Sequence, residues 1–166
     1  MSIIIKNKET LIFDDFRFRC SIGKNGFSKK KIEGDKKTPT GIFNIGNLYY
    51  RKSLRSKIHT KLKCFPIKKN MGWCDDPRNK KSYNKLIKIN KKIKHEKLYR
   101  NDGKYDLIIP ILYNTKKIIP GKGSAIFIHL TKNYLPTAGC IGIKKKDMLI
   151  LLKLINRKTR IKIFNN

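Results

Sequence analysis

The chain has 166 residues, is 39% hydrophobic, and carries a formal net charge of +30 from 41 Lys and Arg against 11 Asp and Glu. A length of this order makes one domain that buries roughly two-thirds of its unfolded surface, and the recurring Ile, Leu, Phe and Tyr exclude a disordered chain. Every apolar run falls short of the roughly 20 residues that cross a bilayer, so no transmembrane segment is expected.

Residues 1–9 lack the long apolar stretch of a secretion signal, and none is expected of the sequence as it stands. Over 16–22, Phe16, Phe18, Cys20 and Ile22 alternate with Arg17, Arg19 and Ser21, which predicts a strand ending at Gly23, with Gly26 in the turn that follows. The turn-forming residues of 33–41 then feed a second alternating run over 42–49. Residues 51–102 are less regular and rich in lysine. They hold the single tryptophan, Trp73, which is either a core anchor for a long excursion or a wall of a binding cleft. The strand signal returns over 107–113, where Pro110 predicts a sheet edge or a bulge. A third run, 124–130, follows a loop with Gly121 and Gly123 and leads into the turn residues 136–142. Residues 146–155 suit a short helix with Asp147 near its start and Lys153 near its end, where each favours the helix dipole. Residues 160–164 alternate as a last strand. No repeat, linker or second domain is visible, and 1–166 reads as a single domain.

Two of these segments carry chemistry. His129 closes the β-branched run 124–130, and Cys140 stands between Gly139 and Ile141 after the turn begun by Pro136. A lone cysteine in an apolar stretch is commonly inert and a strand histidine commonly a satisfied core residue. The turn before Cys140, the adjoining glycine and the histidine nearby point instead to a base and a nucleophile on neighbouring strands of one small sheet. A thiolate attacks a carbonyl, an imidazole takes up and returns the proton, and backbone N–H groups beside a glycine hold the oxyanion. Gly139 is read as clearing a side chain from the substrate's path.

Cys20, Cys64, Cys74 and Cys140 are widely spaced with no CxxC pair, so neither a metal site nor a disulfide scaffold is expected. The charge invites a nucleic-acid reading. However, 33 of the 41 cations are Lys and 8 are Arg, and they spread along the chain instead of forming one aromatic-interleaved stripe. A solvated lysine surface that attracts polyanions without specificity is the expectation, and no specific nucleic acid is predicted.

Together the segments resemble the L,D-transpeptidase catalytic domain, the family with the YkuD-type fold, from about Cys20 to the end. Thr38-Pro39-Thr40-Gly41-Ile42-Phe43 is similar to its early Thr-Pro-x-Gly entrance, Ile128-His129 to its histidine strand, and Pro136-Thr137-Ala138-Gly139-Cys140-Ile141 to its Ser/Thr-His-Gly-Cys signature. Gly72-Trp73-Cys74-Asp75-Asp76-Pro77, Tyr105-Asp106-Leu107 and the run 121–127 further resemble a bacterial subgroup of compact, single-domain members.

The resemblance implies a mostly β fold, a sandwich or barrel-like domain with one or two short helices, that needs no cofactor and acts as a monomer on peptidoglycan stem peptides in cell-wall synthesis. Cys140 would attack the carbonyl of a meso-diaminopimelate residue, release the terminal D-alanine and pass the acyl group to an amine or to water. His129 would be the base, oriented by a backbone carbonyl. The N–H groups of Gly139 and Cys140 would receive the oxyanion, and Tyr113, Asn114, Ser124, Thr137 and Trp73 would line the substrate site. Ala138 stands where the signature carries His, Gly142 where many members carry Arg, and the gap from His129 to Cys140 is short for the family. Nucleophile and base are intact. Carboxypeptidase, endopeptidase or amidase-type hydrolysis stays open beside transfer, as does a degenerate wall-binding or polyanion-binding protein. The family implies the periplasm or cell wall, while the lack of a visible signal leaves the cytoplasm open.

Overall fold

Short runs in which every second side chain is apolar supply most of the regular structure. In the computed structural model, which describes residues 1–164, β1 (Ser2–Ile5) buries Ile3 and Ile5, and β2 (Thr10–Phe13) buries Leu11 and Phe13, as period-two strands with one covered face. β3 (Phe16–Ser21) completes this meander. There follow β4 (Phe27–Ser28), β5 (Thr38–Pro39), β6 (Gly41–Asn44), β7 (Leu48–Tyr50), a 3₁₀ helix (Lys52–Lys57), β8 (Cys64–Pro66), β9 (Met71–Cys74), β10 (Leu86–Lys88) and β11 (His95–Lys97). The chain continues through β12 (Leu107–Pro110), β13 (Phe127–Leu130), β14 (Ile141–Ile143), α1 (Lys145–Leu154) and β15 (Arg160–Ile163). The protein is mostly β, and among the described residues it has two short helices, within the one or two the resemblance implied.

Ten strands share one sheet, in the order β6, β15, β1, β2, β3, β14, β13, β12, β7, β8. Ile45, just past β6, bridges Ile111, just past β12, so the sheet curls back on itself toward a barrel. Within it β1 lies parallel to β15 and β13 parallel to β14. A three-stranded sheet (β10, β9, β11) and the pair β4 and β5 stand apart.

Two cores result. The larger gathers Ile3, Ile5, Leu11, Phe13, Ile128 and Ile141 and takes in Met148, Leu151 and Leu152 from the buried stripe of α1. The smaller joins Trp73 of β9 to Ile108 of β12 and Phe127 of β13, with Ile67, Leu98, Tyr105 and Cys140. Every residue of β12, β13 and β14 is buried, because the strands are covered on both faces, and their apolar runs are correspondingly unbroken. Each fully buried large side chain there contributes roughly 1.5–3 kcal/mol.

The structure departs from the sequence reading in four places. β1 and β2 were not predicted, since a four-residue alternation is too brief to stand out before its partner strands are known. The run 42–49 is broken into β6 and β7 at Gly46, whose N–H donates to the Pro110 carbonyl at 2.7 Å. Pro110 lies at no sheet edge: β12 sits between β13 and β7, and the proline ends the strand opposite Phe127. The sheet that carries His129 has ten strands and is not small.

Candidate active site

The register of two parallel strands brings His129 and Cys140 together. His129 on β13 pairs with Gly142 on β14, and Cys140 stands two residues before Gly142. Cys140 is not on a strand, where the sequence reading put it, but in the turn one residue before β14; it packs with Phe127 in the smaller core and lines one cavity with His129. The contacts agree with this placement. The Phe127 N–H donates to Cys140 Sγ at 3.4 Å, and the thiol donates to the Ala125 carbonyl at 3.3 Å.

Both groups are buried, His129 at 6% and Cys140 at 7% exposure, at the floor of a cavity of about 490 Å³. It is lined by the β13–β14 crossover, including Thr131, Lys132, Pro136, Thr137 and Ala138, and by Glu96, Arg100, Asp102, Lys104 and Tyr105. The Tyr105 ring lies against the imidazole, with centroids 5.4 Å apart, and edge-on to Phe127 at 5.8 Å.

The imidazole is held in one tautomer. His129 Nδ1 lies 2.8 Å from the Leu130 carbonyl oxygen, which only accepts, so Nδ1 carries the proton and Nε2 is the free base. Burial, aided by the positive Lys104 and Arg100, pushes its pKa down to about 4 against the bond to Leu130 and the charge of Asp102. Burial pushes the Cys140 thiol up to about 12, with the Glu96 carboxylate adding to the rise, while the Phe127 N–H and the Lys31 ammonium oppose it. The free protein therefore holds a neutral thiol beside a neutral imidazole.

The turn into Cys140 is clamped from behind. Thr38 Oγ1 accepts the Gly23 N–H and donates to the Gly139 carbonyl, each at 2.9 Å. Gly139 has φ of +136°, and a Cβ there would lie 2.8 Å from the Lys37 carbonyl oxygen. The backbone behind the turn, more than a substrate in front of it, demands the glycine. At Gly142 a Cβ would meet Ser21 Oγ at 2.7 Å and Thr131 at 3.2 Å, so the position leaves no room for a side chain unless these neighbours move.

Of the residues singled out from sequence, Cys140, His129 and Thr137 line the cavity together. Thr137 Oγ1 accepts the Gly139 N–H at 3.1 Å and donates to the Cys140 carbonyl at 2.6 Å. The others lie outside this cavity. Trp73 is a core residue, edge-on to Phe127 at 5.3 Å, with its N–H on Asn84 Oδ1 at 3.0 Å. Ser124 donates to Glu33 at 2.6 Å, Tyr113 donates to the Lys122 carbonyl at 2.6 Å, and Asn114 bonds to the backbone of Ile119 and Gly123. Their hydrogen bonds brace the loops behind the site.

Sequence reasoning missed Glu96, Arg100, Asp102, Lys104 and Lys31. The one available signal was the spacing of Glu96, Arg100 and Asp102, whose close charges pair in the structure at 3.0 and 2.6 Å. Among the described residues no cluster of side chains suits a metal ion, and no helix is long and apolar enough to cross a membrane.

A search of curated proteins returns no match to this chain. Among solved structures, Bd1075 of Bdellovibrio bacteriovorus has a similar fold, with a TM-score of 0.50 and 15% identity over 98% of this chain and 47% of that one. The chain thus spans about half the length of that protein. The model of the L,D-transpeptidase catalytic domain, YkuD, matches residues 2–163, so the likeness begins well before Cys20, and the chain belongs to the L,D-transpeptidase catalytic domain family.

Proposed function

We propose that the domain is a cysteine acyltransferase acting on peptidoglycan stem peptides, with Cys140 as nucleophile and His129 as base. The observation that carries this reading is one open cavity lined both by the tautomer-locked imidazole of β13 and by the thiol of the turn that leads into β14. Because the thiol is neutral at rest, its S–H proton passes to His129 Nε2 as the sulfur pair forms an S–C bond to the substrate carbonyl. The carbonyl π pair moves to oxygen. Collapse of that adduct expels the leaving amine, which takes the proton from His129 and leaves a thioester. An acceptor amine or water then attacks the thioester, gives its proton to His129, and the returning thiolate recovers it.

The Gly139 N–H already donates to Thr137, which makes the Cys140 N–H the first candidate for the oxyanion. Lys104 and Lys132 are exposed at the cavity and, among the described residues, enter no ion pair. They supply positive charge for a substrate carboxylate where Gly142 brings none. The site of action implied by such a substrate is the periplasm or cell wall.

The test is to incubate the protein with tetrapeptide and pentapeptide muropeptides and identify the products, with a carbapenem as a covalent probe. Cross-linked dimers mean transfer, and shortened stems mean hydrolysis. Cys140→Ala and His129→Ala should each lower turnover by about 10³-fold or more without unfolding. A carbapenem adduct, located by mass spectrometry, should sit on Cys140. A folded protein that binds muropeptides yet forms neither product nor adduct would overturn the reading and leave a binding protein.

A further inference from the structure

Among 33 lysines, Lys31 is the one the fold buries, at 3% exposure. Its ammonium donates to Asp35 Oδ1 at 2.6 Å, and among the described residues this is the single partner for its three N–H bonds. Its stem is wedged under the 121–124 loop so closely that a Cβ on Gly123 would lie 2.9 Å from three of its carbons. Burying a charge is costly even when it is paired, by several kcal/mol per ion, so a lysine spent only on anchoring a surface loop would be a poor arrangement.

Its position offers another use. Lys31 Nζ lies 3.5 Å from the point a Cβ on Gly139 would occupy, on the far side of the turn that presents Cys140. The charged side chains that act on the thiol are Lys31, which favours the anion, and Glu96, which opposes it. Ala138, where the family signature carries a histidine, has no polar side-chain atom. The cation therefore reaches this turn from the 31–38 loop, whose Thr38 also clamps the Gly139 carbonyl.

We propose that Lys31 is a positioning residue of the acyl-transfer site: its fixed ammonium, behind the turn, favours negative charge on the Cys140 sulfur as the proton leaves for His129 Nε2. The proposal rests on reading Cys140 as the nucleophile. The electron pair released from the S–H bond stays on sulfur and makes the new S–C bond. Lys31 keeps its own protons throughout and is not a base.

Alkylation of Cys140 by iodoacetamide tests this without any wall peptide, so failure on muropeptides would sink the functional reading and leave this measurement standing. In the reaction the sulfur displaces iodide, and peptide mass spectrometry counts Cys140 apart from Cys20, Cys64 and Cys74. Lys31→Met should slow alkylation at fixed pH by about tenfold, the effect of raising the thiol by about one pH unit. Asp35→Asn keeps the ammonium and removes its counter-charge, and should speed alkylation. Both variants cut the same ion pair, so a purely structural role would loosen the site and shift both rates in one direction. Shifts of the same sign, or no shift in folded protein, overturn the proposal. Should Lys31→Met fail to fold, Asp35→Asn decides alone, and an unchanged or slower rate in that variant overturns it.

Discussion

Burial, before anything else, sets the protonation of His129 and Cys140. Loss of water disfavours the charged form of each, which lowers the imidazole to about 4 and raises the thiol to about 12. Both groups are therefore neutral in the free protein, and on the proposed mechanism the thiolate is made while substrate is bound, by transfer to Nε2. A base with a lowered folded pKa remains neutral and competent until the pH falls through that lowered value. The acid limb of kcat/KM should consequently lie near pH 4, well under the ordinary histidine value of 6.5. The same shift governs stability. Between about 4 and 6.5 the unfolded chain binds a proton that the folded one does not, so His129 contributes stability that is full above 6.5 and lost as pH falls through about 4. Urea melts of the wild type and His129→Gln should show a flatter pH dependence in the variant across that window. An acid limb near 6.5 would contradict this account of the buried base.

At the scale of elements, the short strand β5 does more than its two residues suggest. Thr38 is fully buried, and its hydroxyl joins the Gly23 N–H to the Gly139 carbonyl, a partner 101 residues away in sequence. Thr38→Val fills the same volume but leaves both backbone groups buried without partners, at about 1–3 kcal/mol each. Thermal melts should report that loss, and acyl transfer should fall with it because the turn before the nucleophile loosens. The Thr38-Pro39-Thr40-Gly41 motif stood out in the sequence, but its task did not, because a hydrogen bond across 101 residues leaves no local pattern. α1 shows the opposite case. Its apolar stripe, Asp147 in the first turn and Lys153 in the last place it to within a residue, since all of these are local to the helix. Residues 51–102 read as irregular, and they do form short strands between long turns, yet Glu96 and Arg100 reach the cavity from them.

Across the whole molecule, a net charge of +30 on 166 residues sets the lysine surface against itself. Of the 11 acidic residues, Asp35, Asp75, Asp76, Glu96, Asp102 and Asp106 form the ion pairs found among the described residues, which leaves a large excess of exposed cations. Raising salt screens that repulsion, with a Debye length that falls from about 10 Å at 0.1 M to about 3 Å at 1 M. The melting temperature should therefore rise between those concentrations, and binding to any polyanion should collapse over the same range, alike in wild type and Cys140→Ala. Polyanion binding that survives high salt would instead argue for a shaped site.

Local pattern alone determined the β-rich class, the C-terminal helix, the family and the candidate pair His129 and Cys140, because strand alternation, capping charges and the Gly-Cys turn are written in adjacent residues. Tertiary structure decided the rest. The parallel register of β13 with β14 brings His129 and Cys140 to one cavity, and the antiparallel pairing of β14 with β3 sets Gly142 opposite Ser21. The same packing buries one lysine among 33 behind the turn into Cys140 and sends Tyr113, Asn114, Ser124 and Trp73 to brace loops and core instead of the cavity. Each of these outcomes depends on which distant segments meet, and the free energy of such contacts appears only when the chain has closed upon itself.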